Sequence, residues 1–110
     1  MDIQQSNIEE VLDALRAGKP VLVTDAEDRE NEGDAIIAAE FATPEWIAWM
    51  IRHTSGYICA PMTEERANEL HLPLMWVNTE DPHHTAYTVS VDAKARATTG
   101  ISASDRALTG

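Results

Sequence analysis

The sequence predicts an α/β fold, with helices and short strands mixed along one chain. Two observations carry this. Polar caps open apolar runs at helical spacing near residues 6, 43, 63 and 102, and short apolar or alternating runs lie between them at 21–23, 35–39, 57–60 and 87–92. The composition, 44% hydrophobic and 25% charged, is that of a folded chain, and 110 residues suit one small domain or a portion of a larger one.

Ser6-Asn7-Ile8-Glu9 reads as a capping box, and Ile8, Val11, Leu12 and Leu15 follow at helical spacing, giving a helix at about 7–17. Gly18 is placed to end it and Pro20 to open a strand at about 20–24. A second strand covers roughly 34–39. Thr43-Pro44-Glu45 supplies an N-cap, a proline in the first turn and an acid at the positive end of the dipole; Trp46, Ile47, Met50 and Ile51 then form an apolar face up to Gly56. Tyr57-Ile58-Cys59-Ala60 is a short strand stopped by Pro61, and Thr63 caps a third helix carrying Ala67 and Leu70. Residues 72–77 are apolar but contain a proline and read as irregular, and 78–85 read as a loop. Tyr87 to Asp92 alternates, with Tyr87, Val89 and Val91 on one face, the clearest strand signal in the chain. After a turn at Thr98-Thr99-Gly100, Ser102 caps a last helix that has room for about two turns before Gly110, which reads as a short terminal turn or as the start of a longer domain.

Charge and cysteine content narrow the function. Acids outnumber bases 19 to 8, a net charge of −11, which argues against a nucleic-acid or anionic-membrane partner and is compatible with divalent cations. A single cysteine excludes an internal disulfide framework and a zinc site built on several thiolates. No apolar run approaches a membrane span and no leader pattern opens the chain, so a cytoplasmic protein is expected.

The acidity is concentrated. Residues 25–34 hold six acids, Asp25, Glu27, Asp28, Glu30, Glu32 and Asp34, against one base, Arg29: a local net charge of −5 between two apolar runs. In extended chain, residues 30, 32 and 34 point to one side and offer a hard oxygen site for Mg²⁺ or Mn²⁺. Arg29 there would hold a phosphate or keep a carboxylate ionised, and Gly33 would let the backbone turn or approach a ligand. A solvated acidic hairpin explains the same residues, and residue types alone favour it. Cys59 reads more readily as a small buried hydrophobe than as a reactive thiol, His53 as a complement to a helix dipole, and His83 and His84 as surface residues. The tryptophans, Trp46, Trp49 and Trp76, read as core or interface. The hydroxyls of Thr98, Thr99, Ser102 and Ser104 beside a helix start serve phosphate binding or capping equally well.

Several segments in order resemble the 3,4-dihydroxy-2-butanone 4-phosphate synthase family. These are the acidic loop Asp25 to Asp34 with the following apolar run and Ala39-Glu40, then Arg52-His53-Thr54-Ser55-Gly56-Tyr57-Ile58-Cys59 and Thr63-Glu64-Glu65-Arg66. Leu72-Pro73-Leu74-Met75, the 85–92 segment and Thr98-Thr99-Gly100-Ile101-Ser102-Ala103-Ser104-Asp105-Arg106 complete the likeness, which covers essentially the whole chain. The resemblance implies an α+β sandwich with a mixed sheet flanked by helices, and a homodimer with sites at the subunit interface. It implies a Mg²⁺-dependent lyase that converts ribulose 5-phosphate to 3,4-dihydroxy-2-butanone 4-phosphate and formate in riboflavin biosynthesis. Arg29 and Glu30 would contact the sugar phosphate, Glu30 would ligate the metal, Glu32 and Asp34 would serve proton transfer and hydroxyl binding, Cys59 would line the pocket, and Thr99, Ser102 and Asp105 would lie near the substrate. Such chemistry suits a carboxylate base beside a cation that stabilises an enediolate. Two features depart from the family. Ala26 stands where an acid is usual. Family members are also about twice as long, and their second half carries a Gly-His-Val segment, an Arg-x-Gly-His-Thr segment with a metal-binding histidine, and a later glutamate. The chain therefore reads as the N-terminal portion or a shortened version of the family domain. A catalytically inactive relative that binds metal or sugar phosphate, or serves in assembly, is the alternative expectation.

Overall fold

The computed structural model describes residues 5–78 and 80–110; Thr79, inside the expected 78–85 loop, lies outside the described residues. Helix α1 runs Ile8–Arg16. Its N-cap is Asn7 rather than Ser6: the Asn7 side-chain oxygen accepts from the Glu10 N–H at 2.9 Å, satisfying one of the helix's open donors. Gly18 follows with φ +78°, the left-handed geometry that lets the chain leave a helix abruptly, and the Phe41 ring packs against it.

Strands β1 (Val21–Thr24) and β2 (Gly33–Ile36) form an antiparallel hairpin, Val21 opposite Ile36 and Thr24 opposite Gly33. The helix-and-strand class read from the sequence holds, and this hairpin is the sheet found among the described residues. After a single 3₁₀ turn at Ala39–Phe41, helix α2 (Pro44–His53) begins as its cap pattern predicts, with Thr43 Oγ1 accepting from Trp46 N–H at 3.2 Å. Its buried face is Ile47 and Met50, 3% and 7% exposed, and it packs against the last helix, α4 (Ala103–Thr109). Helix α3 (Glu64–Glu69) is capped by Thr63. Among the described residues no helix is long and apolar enough to cross a membrane.

Two expected strands do not form. Residues 57–60 form no regular element and have no ladder partner among the described residues. The alternating run at 87–92 yields one antiparallel bridge, Thr88 opposite Leu74, with Met75 N–H donating to Tyr87 C=O and Val89 N–H to Pro73 C=O. Alternation is a face pattern, whereas a strand needs a continuous backbone partner. Among the described residues the facing segment contains Pro73, which lacks an N–H and so cannot return a bond to Val89. Large apolar side chains face solvent, Leu22 on β1 and Val77 at 74% and 78% exposure. Trp76 is exposed as well, so of the three tryptophans only Trp46 and Trp49 are half-buried.

Gly100 has φ +84°, and a Cβ there would run into the Asp92 carboxylate. The Gly100→Ala variant is expected to lose more than about 1 kcal/mol of stability. Gly33→Ala, where a Cβ would meet only Thr24 at 3.7 Å, should be neutral to slightly stabilising. Urea unfolding of the two variants side by side measures the difference.

Candidate active site

The acidic loop is organised from its first residue. Asp25, directly after β1, accepts from the Glu30 N–H at 3.0 Å and from the Arg29 guanidinium at 2.8 Å on Oδ2, and from the Glu32 N–H at 2.8 Å on Oδ1. Its own N–H donates to Glu32 C=O at 3.2 Å, closing the loop just beyond the last ladder pair. The Ala26 carbonyl accepts from the Arg29 and Asn31 N–H groups, a backbone role indifferent to the missing acid side chain. One carboxylate thus gathers three donors and fixes where Arg29, Glu30 and Glu32 stand. These bonds favour the charged form: the Glu32 N–H above all holds the Asp25 carboxyl below the usual carboxylate range, against a smaller opposing effect of desolvation.

Arg29 also meets the Glu30 carboxylate at 2.6 Å, and both of its ion pairs use Nη1. The three carboxylates expected to share one side are not gathered: among the described residues no three His, Cys, Asp or Glu side chains converge on a cation position. The expectation needs a continuous extended chain. Asn31 instead takes φ +52° and the 26–29 backbone turns, so the period-2 alternation between Glu30 and Glu32 is broken, while Asp34 belongs to β2 opposite Val23.

The other expected site residues fall into two groups. Cys59 is exposed, which sets aside the reading of a buried hydrophobe. Nearby, the Tyr57 and Tyr87 rings meet edge-on at 6.2 Å. The Tyr87 phenol is raised above its ordinary pKa by Tyr57 first, then by desolvation and by the charges of Cys59, Asp81 and Glu30. Tyr87, which the sequence marks as a strand residue, thus meets Tyr57 across thirty residues of sequence. The second group stands around α4. Asp105 is 5% exposed, and its Oδ2 accepts from Thr98 Oγ1 at 2.6 Å, Gly100 N–H at 2.9 Å and Thr98 N–H at 3.0 Å. Ser102 Oγ accepts from Asp105 N–H at 3.1 Å as the N-cap of α4. Ser102 and Thr98 therefore serve capping and turn closure, Asp105 holds the 98–100 turn, and Thr99 is exposed on that turn. The Thr98 hydroxyl contributes most to keeping the Asp105 carboxyl below its usual range.

Asp81 holds the 81–85 turn through the His83 and Thr85 N–H groups, leaving His83 and His84 on the surface as expected, and His53 lies in the last turn of α2 with its ring tilted against Trp49. An open hollow of about 440 Å³ lined by Lys19, Val21, Leu22, Trp46 and Trp49 includes none of the expected site residues.

A carboxylate-rich loop fixed from within, with an arginine in its midst, on an α/β scaffold defines a class of sites suited to hard cations and anionic, hydroxyl-bearing ligands. The family model for 3,4-dihydroxy-2-butanone 4-phosphate synthase matches residues 9–110, and the chain belongs to that family. It is 61% identical over 102 residues to riboflavin biosynthesis protein RibBA of Nocardia farcinica, covering 93% of this chain and 25% of that protein. It is 56% identical over 102 residues to the 3,4-dihydroxy-2-butanone 4-phosphate synthase of Candida albicans, covering 93% of this chain and 50% of that protein. Among solved structures, a 3,4-dihydroxy-2-butanone 4-phosphate synthase in complex with two magnesium ions superposes with a TM-score of 0.92 at 54% identity, over 94% of this chain and 49% of that one. The two-domain RibBX from A. baumannii gives 0.84 at 46% identity, over 94% of this chain and 30% of that one. The chain thus spans between a quarter and a half of the length of these relatives.

Asp25 and Asp105 both have folded-state pKa values lowered from those of an unfolded chain. Their contribution to stability is complete above the ordinary carboxylate range, about 3.9, and is lost as pH falls through the lowered folded values. Asp105→Asn should therefore melt several degrees below the parent at neutral pH, with the gap closing under acid conditions. A gap independent of pH in thermal melts would show that the charge of Asp105 is not what holds the turn.

Proposed function

We propose that the chain carries the acidic-loop side of a 3,4-dihydroxy-2-butanone 4-phosphate synthase site. The reaction is conversion of ribulose 5-phosphate to 3,4-dihydroxy-2-butanone 4-phosphate and formate, in riboflavin biosynthesis. The observation that carries the reading is the loop itself: Arg29, Glu30 and Glu32 fixed by Asp25, inside a family match spanning residues 9–110.

The loop's donor set fits a divalent cation. Mg²⁺ is commonly bound by one or two carboxylates together with water and substrate oxygens, and Glu30 offers one such carboxylate on a backbone held by Asp25. Glu30 would hold Mg²⁺, or Mn²⁺ in its place, and the ion when bound would stabilise negative charge on substrate oxygens. Arg29 directs only Nη1 to its two carboxylate partners, and its guanidinium has further donors for the substrate phosphate. Glu32 and Asp34 are the bases for moving protons between carbon and oxygen and for orienting hydroxyls. On this reading Cys59 would line the pocket and Thr99, Ser102 and Asp105 would lie near the substrate, Asp105 and Ser102 shaping the turn that carries Thr99. The reading includes a homodimer in the cytoplasm with the site at the subunit contact. The exposed apolar side chains, Leu22 and Val77 among them, support an association surface.

Formate release from ribulose 5-phosphate in the presence of Mg²⁺ tests the reading. The expected result is metal-dependent formate that falls ~100-fold or more in Glu32→Gln, the range lost with a general base, and that chelation abolishes. Calorimetric binding of ribulose 5-phosphate without formate would instead make the chain a binding relative, and neither heat nor formate would contradict both readings.

A further inference from the structure

One hydrogen bond ties the end of the chain to its middle. Arg106, half-buried in the last turn of α4, donates from its guanidinium to the Gly56 carbonyl at 3.0 Å across fifty residues of sequence. Gly56 is the corner of the turn that leaves α2, with φ +75°. Other bonds of that turn are local: Gly56 N–H donates to Thr54 Oγ1 and Tyr57 N–H to Ser55 Oγ. Residues 57–60 then run on with no ladder partner among the described residues. The Arg106 bond thus anchors the chain just where that segment begins. The segment carries Tyr57, whose ring meets that of Tyr87 at 6.2 Å, and the exposed Cys59 two residues on. Asp105, the residue before Arg106, holds the 98–100 turn from the same stretch of helix.

We propose that Arg106 is a positioning residue, which through the Gly56 carbonyl fixes the Tyr57–Cys59 segment with the Tyr57 ring against Tyr87. For its consequence in catalysis the proposal rests on the reading of Cys59 as part of a synthase site, while its structural content is measurable without turnover. A guanidinium suits this role because it stays charged and its fork is rigid, whereas a lysine in its place supplies the charge without the planar geometry.

The test uses Arg106→Ala, Arg106→Lys and, as a control that weakens a helix cap elsewhere, Asn7→Ala at the start of α1. Arg106→Gln reads the same quantities should the alanine variant not fold. Three quantities are followed: the rate at which Cys59, the sole cysteine, reacts with a thiol reagent under native conditions; the nuclear Overhauser contact between the Tyr57 and Tyr87 rings; and kcat and KM for formate release. Arg106→Ala is expected to change Cys59 reactivity several-fold and to lose the ring contact, with kcat falling ~100-fold, as a misplaced wall of a site does, and KM little altered. Arg106→Lys should recover part of each, and Asn7→Ala should move none of them. Unaltered Cys59 reactivity and an intact ring contact in the alanine and glutamine variants overturn the proposal, whether or not the parent releases formate. A parent that releases none overturns the functional reading alone, and the two structural readouts still decide Arg106.

Discussion

The acidic loop depends on the carboxylate of Asp25. Six acids within ten residues repel one another, and a loop of that charge has no reason to hold one shape. Asp25 supplies the reason by accepting from two backbone N–H groups and one guanidinium, so that one negative charge is surrounded by donors rather than by its neighbours. Arg29 answers a second charge, that of Glu30, from the same nitrogen. Glu30 thus comes to stand on a fixed backbone, which is the condition for a carboxylate to serve as a ligand or base rather than as a solvated surface group.

The same device recurs where apolar packing is thin. Only Ile47 and Met50 are buried hydrophobic residues among those described, and the loops are held by side-chain oxygens turned onto backbone N–H groups. Asp105 holds the 98–100 turn, Asp81 the 81–85 turn, and Thr43, Thr63 and Ser102 the helix starts. Such bonds are local and directional, so they define loop shape without requiring a large core. Arg106 joins two of these regions, the 56–59 segment and α4, through one long-range contact.

Local chemistry was legible in the sequence, and non-local chemistry was not. The cap residues, the left-handed Gly18 and the hairpin flanking the acidic loop follow from residue types within a few positions, and the structure has them nearly where they were expected. The strand expected at 87–92 reduces to one bridge because its partner contains Pro73, a fact about pairing rather than about the strand itself. Asp25 was counted among the acids, yet its role was missed: its partners lie four to seven residues on, and only the turned backbone brings them in. An aspartate directly after a strand, ahead of an asparagine and a glycine, is a signal of such a turn. Arg106 and Tyr87 gave no local sign, since their partners are far away in sequence.

The central claim is that Asp25 makes the loop a preformed site for a cation and a sugar phosphate. Proton–nitrogen correlation spectra of the parent and of Asp25→Ala, titrated first with Mg²⁺ and then with ribulose 5-phosphate, test it most directly. The parent amide signals of residues 29–34 should already be sharp, should move saturably with each addition, and should lose both responses in the variant. Loop signals in the parent that ignore both ligands, or a variant that responds as the parent does, would contradict it.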